Sequence, residues 1–164
     1  MNHKEIEALK KITENGIFIG TSPDESAFDA VRPNLDSIIT QMVDYFISKG
    51  HQSISFIGAT DFNIDTEQPS MDVREWSFRE SAKYYHLLNE EMIFIGSTFS
   101  VKEGYRLAVK AIEGLGEKMP TAFCVASDAM AVGVLQAFNE KGWKIPEHGG
   151  QKVWCFQKYK YIRS

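Results

Sequence analysis

With 164 residues, 43% hydrophobic and 24% charged, the chain has the composition of one medium globular domain or two small lobes. Disordered, collagen-like and low-complexity classes are excluded, and a net charge of −4 argues against general polyanion binding by this segment. No apolar run approaches the roughly 20 residues of a membrane span. The charged N-terminus MNHKEIEALKKITENG lacks the apolar core of a signal peptide, so a cytoplasmic, non-membrane chain is expected.

The elements alternate. Lys4 to Ile12 predicts a short helix with Ile6, Leu9 and Ile12 on one side, closed by Asn15-Gly16. Ile17 to Gly20 predicts a short buried strand, and TSPDESAFDAVRPN a loop. Asp36 is a candidate cap for a helix reaching about Lys49, with Ile39, Met42, Val43 and Phe46 on one face and Gly50 as its stop. Ser53 to Gly58 predicts a strand, and ATDFNIDTEQPSM a polar connection that could cross between lobes. A helix follows from Asp72 to about Leu88, then a strand over Met92 to Gly96. Val101 to Leu115 predicts a helix with Tyr105, Ala108, Ile112 and Leu115 facing one way. TAFCVA predicts a strand, and Ala129 to Lys141 a helix burying Ala131, Val134, Leu135 and Phe138. Continuous apolar strands alternating with amphipathic helices imply an α/β fold, a parallel sheet covered by helices on both faces. From His148 to Ser164 the pattern breaks: there is no acid, while Lys152, Lys158, Lys160 and Arg163 stand among aromatics, and KVWCF alone could add a strand.

Ligands of doubly wound sheets bind beyond the carboxyl ends of the strands. Those ends are polar here: Thr21-Ser22, Thr60-Asp61, Ser97-Thr98 and Ser127-Asp128. Hydroxyls and carboxylates along one edge suit sugar hydroxyls, which both donate and accept. Asp128 reads equally as a helix N-cap and as a carboxylate facing that cleft. Arg74 reads as a solvated helix charge, a partner for Asp72, or a ligand contact. Phe99, on a loop by pattern, could stack on a ligand or pack beneath the loop. His51, at a helix end, reads as structural. Cys124 and Cys155 form no C-x-x-C pair, and His3, His51, His86 and His148 share no ligand spacing, so no metal or cofactor is expected. G-x-S-x-G, Walker and G-x-G-x-x-G motifs are absent from the sequence, which disfavours an enzyme.

The blocks YFISKGHQSISFIG, DVREWSF, STFSVKEGY and PTAFCVASDAMAVGVLQAFNEKGWKIPE, in this order, resemble the lactose/galactose repressor family of bacterial transcription regulators from about Glu5 to Glu147. The resemblance implies that family's effector-binding core: two Rossmann-like α/β lobes of the type I periplasmic-binding-protein kind, with a small sugar or related effector between them. It assigns residues 1–58 to part of the N-terminal lobe, 59–147 to part of the C-terminal lobe and 148–164 to an atypical tail. It makes Asp72, Arg74, Phe99 and Asp128 the ligand-binding candidates, with Ser77 standing where the family has Gly. The family binds operator DNA through a helix-turn-helix that this sequence does not contain, and as a homodimer. The chain is therefore expected to be truncated at both ends. A periplasmic-type sugar receptor serving a transporter is the alternative.

Overall fold

The computed structural model describes residues 3–13, 15–20, 22–63, 68–143 and 152–155. The chain divides between Asn34 and Leu35 into two compact units.

In the first unit, helix α1 (His3–Ile12) precedes strand β1 (Ile17–Ile19), which pairs in parallel with β2 (Asp29–Val31). The strand expected at Ile17 is present but not buried: Ile17 and Ile19 are exposed, and α1 buries no residue. The segment expected to be loop throughout contains β2. Three residues are too few to show a period, and the neighbouring turn chemistry hides them. That chemistry is visible in Asp24, whose Oδ1 accepts the Ser26 N–H at 3.0 Å while Oδ2 pairs with Lys10 Nζ at 2.7 Å. The Lys10 ammonium, then the Ser26 hydroxyl, hold this carboxyl well below the usual range. Phe28 is the unit's buried anchor, edge-to-face with Phe18 at 5.5 Å.

The second unit is built on one parallel sheet. Its strands are β3 (Ile54–Ala59), β6 (Ile93–Gly96), β7 (Ala122–Val125) and β8 (Lys152–Cys155), in the order β6-β3-β7-β8. Every residue of β3 and β7 is buried, as continuous apolar runs in a covered parallel sheet require. Helices α2 (Leu35–Ser48) and α3 (Val73–Tyr84) cover one face over Ile54, Phe56, Cys124 and Ala126. Helices α4 (Val101–Leu115) and α5 (Asp128–Glu140) cover the other over Ile57, Phe94, Phe123 and Val125. The period-2 alternation thus sorts small side chains of β7 beneath α2 and α3, and large ones beneath α4 and α5.

The α2 helix buries Ile39, Val43 and Phe46 as its spacing predicts, and Gly50, with φ 82°, turns the chain out of it. Asp36 lies in its first turn and accepts the Ser77 hydroxyl at 2.7 Å. The α3 helix stops at Tyr84, short of the expected Leu88, where His86 takes a left-handed φ of 57°. In α5, Leu135 is 45% exposed rather than buried, and Met130 and Ala137 fill the face instead. Between β3 and α3 the polar connection forms a small antiparallel hairpin, β4 (Asp61–Asn63) with β5 (Gln68–Ser70).

A lobe boundary at 58/59 would cut through β3, which pairs with β6 on one side and β7 on the other. The division lies at 34/35 instead, and the hairpin is not a crossing between units. Of the expected tail, 152–155 form β8, parallel to β7; residues 148–151 and 156–164 lie outside the described residues.

The tightest packing is between α4 and α5. A Cβ on Gly104 would strike the Met130 backbone, and one on Gly133 the Val101 carbonyl and Tyr105 nitrogen. Gly114, on the same α4, faces open space. Gly133→Ala should therefore lower the unfolding free energy by about 1–3 kcal/mol through overpacking. Gly114→Ala should leave it unchanged or raise it by up to about 1 kcal/mol through helix propensity. Urea denaturation midpoints of the two variants against wild type check the opposite signs.

Candidate functional site

Parallel pairing brings the carboxyl ends of β3, β6 and β7 to one edge. There Thr60 N–H donates to the Gly96 carbonyl at 3.0 Å, and Ala126 N–H to the Ile57 carbonyl at 2.9 Å. The α3 helix starts at this edge because Asp72 caps it: its backbone is extended (φ −68°, ψ 144°), and Oδ1 accepts the Arg74 N–H at 2.8 Å.

The same carboxylate fixes the Arg74 side chain. Nε donates to Asp72 Oδ1 at 2.6 Å and Nη2 to Oδ2 at 2.7 Å, a two-pronged ion pair. Nη1 donates to the Ala126 carbonyl, at the end of β7, at 2.9 Å. The guanidinium carbon lies 4.2 Å from the centroid of the Phe99 ring. Arg74 and Asp72 side chains are only 15% and 4% exposed, so their charges depend on these partners.

Phe99 sits on the loop between β6 and α4 and packs against the core clusters of both sheet faces. Its loop is shaped from below by Glu103. Ser100 caps α4 by accepting the Glu103 N–H at 3.3 Å, while Glu103 Oε1 accepts the Ser97 N–H at 3.0 Å. Arg106 grips both Glu103 oxygens, at 2.8 and 2.9 Å. That guanidinium, then the Ser97 N–H, bring the Glu103 carboxyl down from 4.5 to about 2 despite burial.

The N-cap of α5 is Ser127, not Asp128. Ser127 has the extended backbone a cap needs (φ −152°, ψ 157°), and its Oγ accepts the Met130 N–H at 3.3 Å. Asp128 is already helical, where its charge complements the helix dipole, and is half-buried two residues beyond Ala126.

Of the four candidates, Asp72, Arg74 and Phe99 touch in one cluster, and Asp128 begins the helix that leaves the same sheet edge. Asp72 turns both oxygens to Arg74 and so positions that residue. Sequence reasoning missed Glu103 and the Ala126 carbonyl. The first had a signal, the capping pattern Ser100-x-x-Glu103; a backbone acceptor has none. His51 lies before β3, at the other end of the strands. Its Nδ1 is 2.8 Å from Thr121 Oγ1, which donates to the Ser53 carbonyl at 3.2 Å. Among the described residues no group of His, Cys, Asp and Glu could hold a metal ion, and no helix is long and apolar enough to cross a membrane.

An open parallel α/β domain takes its ligands at this edge, and the Arg74 cluster stands there. Comparison with known proteins gives the family. A periplasmic binding protein-like domain matches residues 43–148. The HTH-type transcriptional regulator GanR of Bacillus subtilis is 48% identical over 143 residues, 87% of this chain and 43% of the relative. The regulator LacR of Lactobacillus helveticus is 36% identical over 139 residues, 85% of this chain and 41% of the relative. A LacI-family regulator of Enterococcus faecium with bound ribose has the same fold, with a TM-score of 0.68 at 22% identity over 93% of this chain and 53% of that one. A LacI-family regulator of Lactobacillus casei with bound glucose gives a TM-score of 0.68 at 16% identity over 93% of this chain and 62% of that one. The chain belongs to the periplasmic binding protein-like family. It spans about two-fifths of the length of these curated relatives.

The depressed Glu103 carboxyl has a pH consequence. A group with a lowered folded pKa stabilises fully above its ordinary value, near 4.5, and loses that contribution as pH falls towards 2. Because Arg106 is 55% exposed, solvent screening keeps the effect small. Glu103→Gln should cost about 1 kcal/mol at pH 7 and flatten the loss of stability between pH 4.5 and 2. Denaturation curves of both proteins across that range check this.

Proposed function

We propose that this chain is the effector-sensing part of a sugar-responsive bacterial transcriptional regulator. The observation that carries this reading is the Arg74 cluster. A guanidinium has five N–H donors; Asp72 and Ala126 take three, which leaves one on Nη1 and one on Nη2 for a ligand. Those two donors, the Asp128 carboxylate, and the hydroxyls of Ser97, Thr98 and Ser127 stand at one sheet edge, a donor and acceptor set suited to a polyhydroxylated molecule.

The sheet edge of the second unit supplies these groups. The fold holds ribose in one solved neighbour and glucose in another, so the architecture has room for a monosaccharide. The relatives' names favour a DNA-binding regulator over a transporter receptor or an enzyme. In that reading the protein works in the cytoplasm as a homodimer and reaches operator DNA through a helix-turn-helix. The ligand biases DNA binding by favouring one arrangement of the lobes over another.

Isothermal titration against a panel of mono- and disaccharides tests this. Wild type should bind at least one sugar. Arg74→Ala should weaken that binding by about 1–3 kcal/mol, since buried acceptors lose their donors. An affinity for sugar unchanged in Arg74→Ala removes the cluster from the site.

A further inference from the structure

Resting on the saccharide reading above, we infer that this site selects uncharged polyhydroxylated ligands and rejects their phosphate esters, with Asp72 as the residue that sets the preference. Phosphate in an α/β domain is typically held by a helix N-terminus opening on the carboxyl edge of the sheet, where orphan N–H groups and the helix dipole attract negative charge. Three helices open on this edge, and the chain supplies its own oxygens to each. At α3, Asp72 Oδ1 accepts the Arg74 N–H. At α4, Ser100 accepts the Glu103 N–H, and Glu103 turns its carboxylate back to the Ser97 N–H. At α5, Ser127 accepts the Met130 N–H, and Asp128 adds a carboxylate in the first turn. Where a phosphate would dock, three carboxylates already stand.

The cation is matched as well. Both Asp72 oxygens take Arg74 N–H groups, so the fork that would clasp a phosphate is closed and the charge offset. What remains of Arg74 is two N–H donors without net charge behind them. These suit hydroxyl oxygens. A phosphate dianion would find no net positive charge at the Asp72–Arg74 pair and would stand near the half-buried Asp128 carboxylate, where like charges repel.

Asp72→Asn separates charge from shape, because asparagine caps a helix as well as aspartate does while leaving Arg74 uncompensated. The test is isothermal titration of the full chain with glucose, galactose and ribose, and with glucose 6-phosphate, galactose 6-phosphate and ribose 5-phosphate. A neutral sugar should bind, and its ester at least about ten-fold more weakly. Asp72→Asn should narrow that gap several-fold, and Asp128→Asn should narrow it too. An ester that binds as tightly as its parent sugar overturns the inference and leaves the saccharide reading standing. A gap of the same size in both variants overturns the assigned role of the carboxylates. Failure of both ligand classes to bind removes the saccharide reading and the inference with it. If Asp72→Asn does not fold, the wild-type comparison and Asp128→Asn still decide.

Discussion

The site exists because β3 pairs in parallel with two strands that come much later in the chain. Ala59 stands opposite Gly96, and Ile57 opposite Val125. Arg74, four residues after the end of the β4–β5 hairpin, reaches the carbonyl of Ala126 only in that register. A slip of one residue would turn Phe56 and Ile57 to each other's faces and bury the wrong side chains under every helix. The two-faced core of β3 and β7 therefore enforces the register, and the register brings the Asp72–Arg74 pair to the Phe99 loop and the start of α5.

Asp72 carries two tasks with two oxygens. Oδ1 caps α3 and also receives Arg74 Nε; Oδ2 receives Nη2. A charge this sheltered is costly unless paired, and losing one partner strands the other. The pair is braced further by the Ala126 carbonyl and the Phe99 ring, so the guanidinium has little rotamer freedom left. Preorganisation of this kind comes from the sequence Asp-Val-Arg at the mouth of a helix, a very local device serving a long-range contact.

Much of the second unit was legible in the sequence. The runs SISFIG, MIFIG and TAFCVA are strands, and the α2 and α4 helices have nearly the expected bounds, because apolar period and length agree there. The errors have physical causes. Spacing places Leu135 in the core, but Ala137 and Met130 lie on the buried face instead. Asp128 looked like the cap because aspartate caps well, yet Ser127 precedes it and has the backbone to do so. A polar stretch looks the same whether it crosses between units or, as β4 and β5 do, folds into a hairpin within one. At the site, residue types and strand ends pointed to Arg74, Phe99 and Asp128. The spacing also offers Asp72 as a partner for Arg74, as the structure has it; that a main-chain carbonyl completes the clamp depends on distances no sequence pattern carries.

The contact of Gly104 with Met130, and of Gly133 with Val101, lies about one turn inside helices whose first residues follow Phe99 and Ser127. Main chain rests on main chain there, with no side chain between to act as a cushion. The aromatic ring and the carboxylate are thus mounted on a single stiff bracket. Side chains at positions 99 and 128 can change while the span between those two mounts stays constant. A bulkier residue at either glycine would widen that span from a place well behind the edge itself.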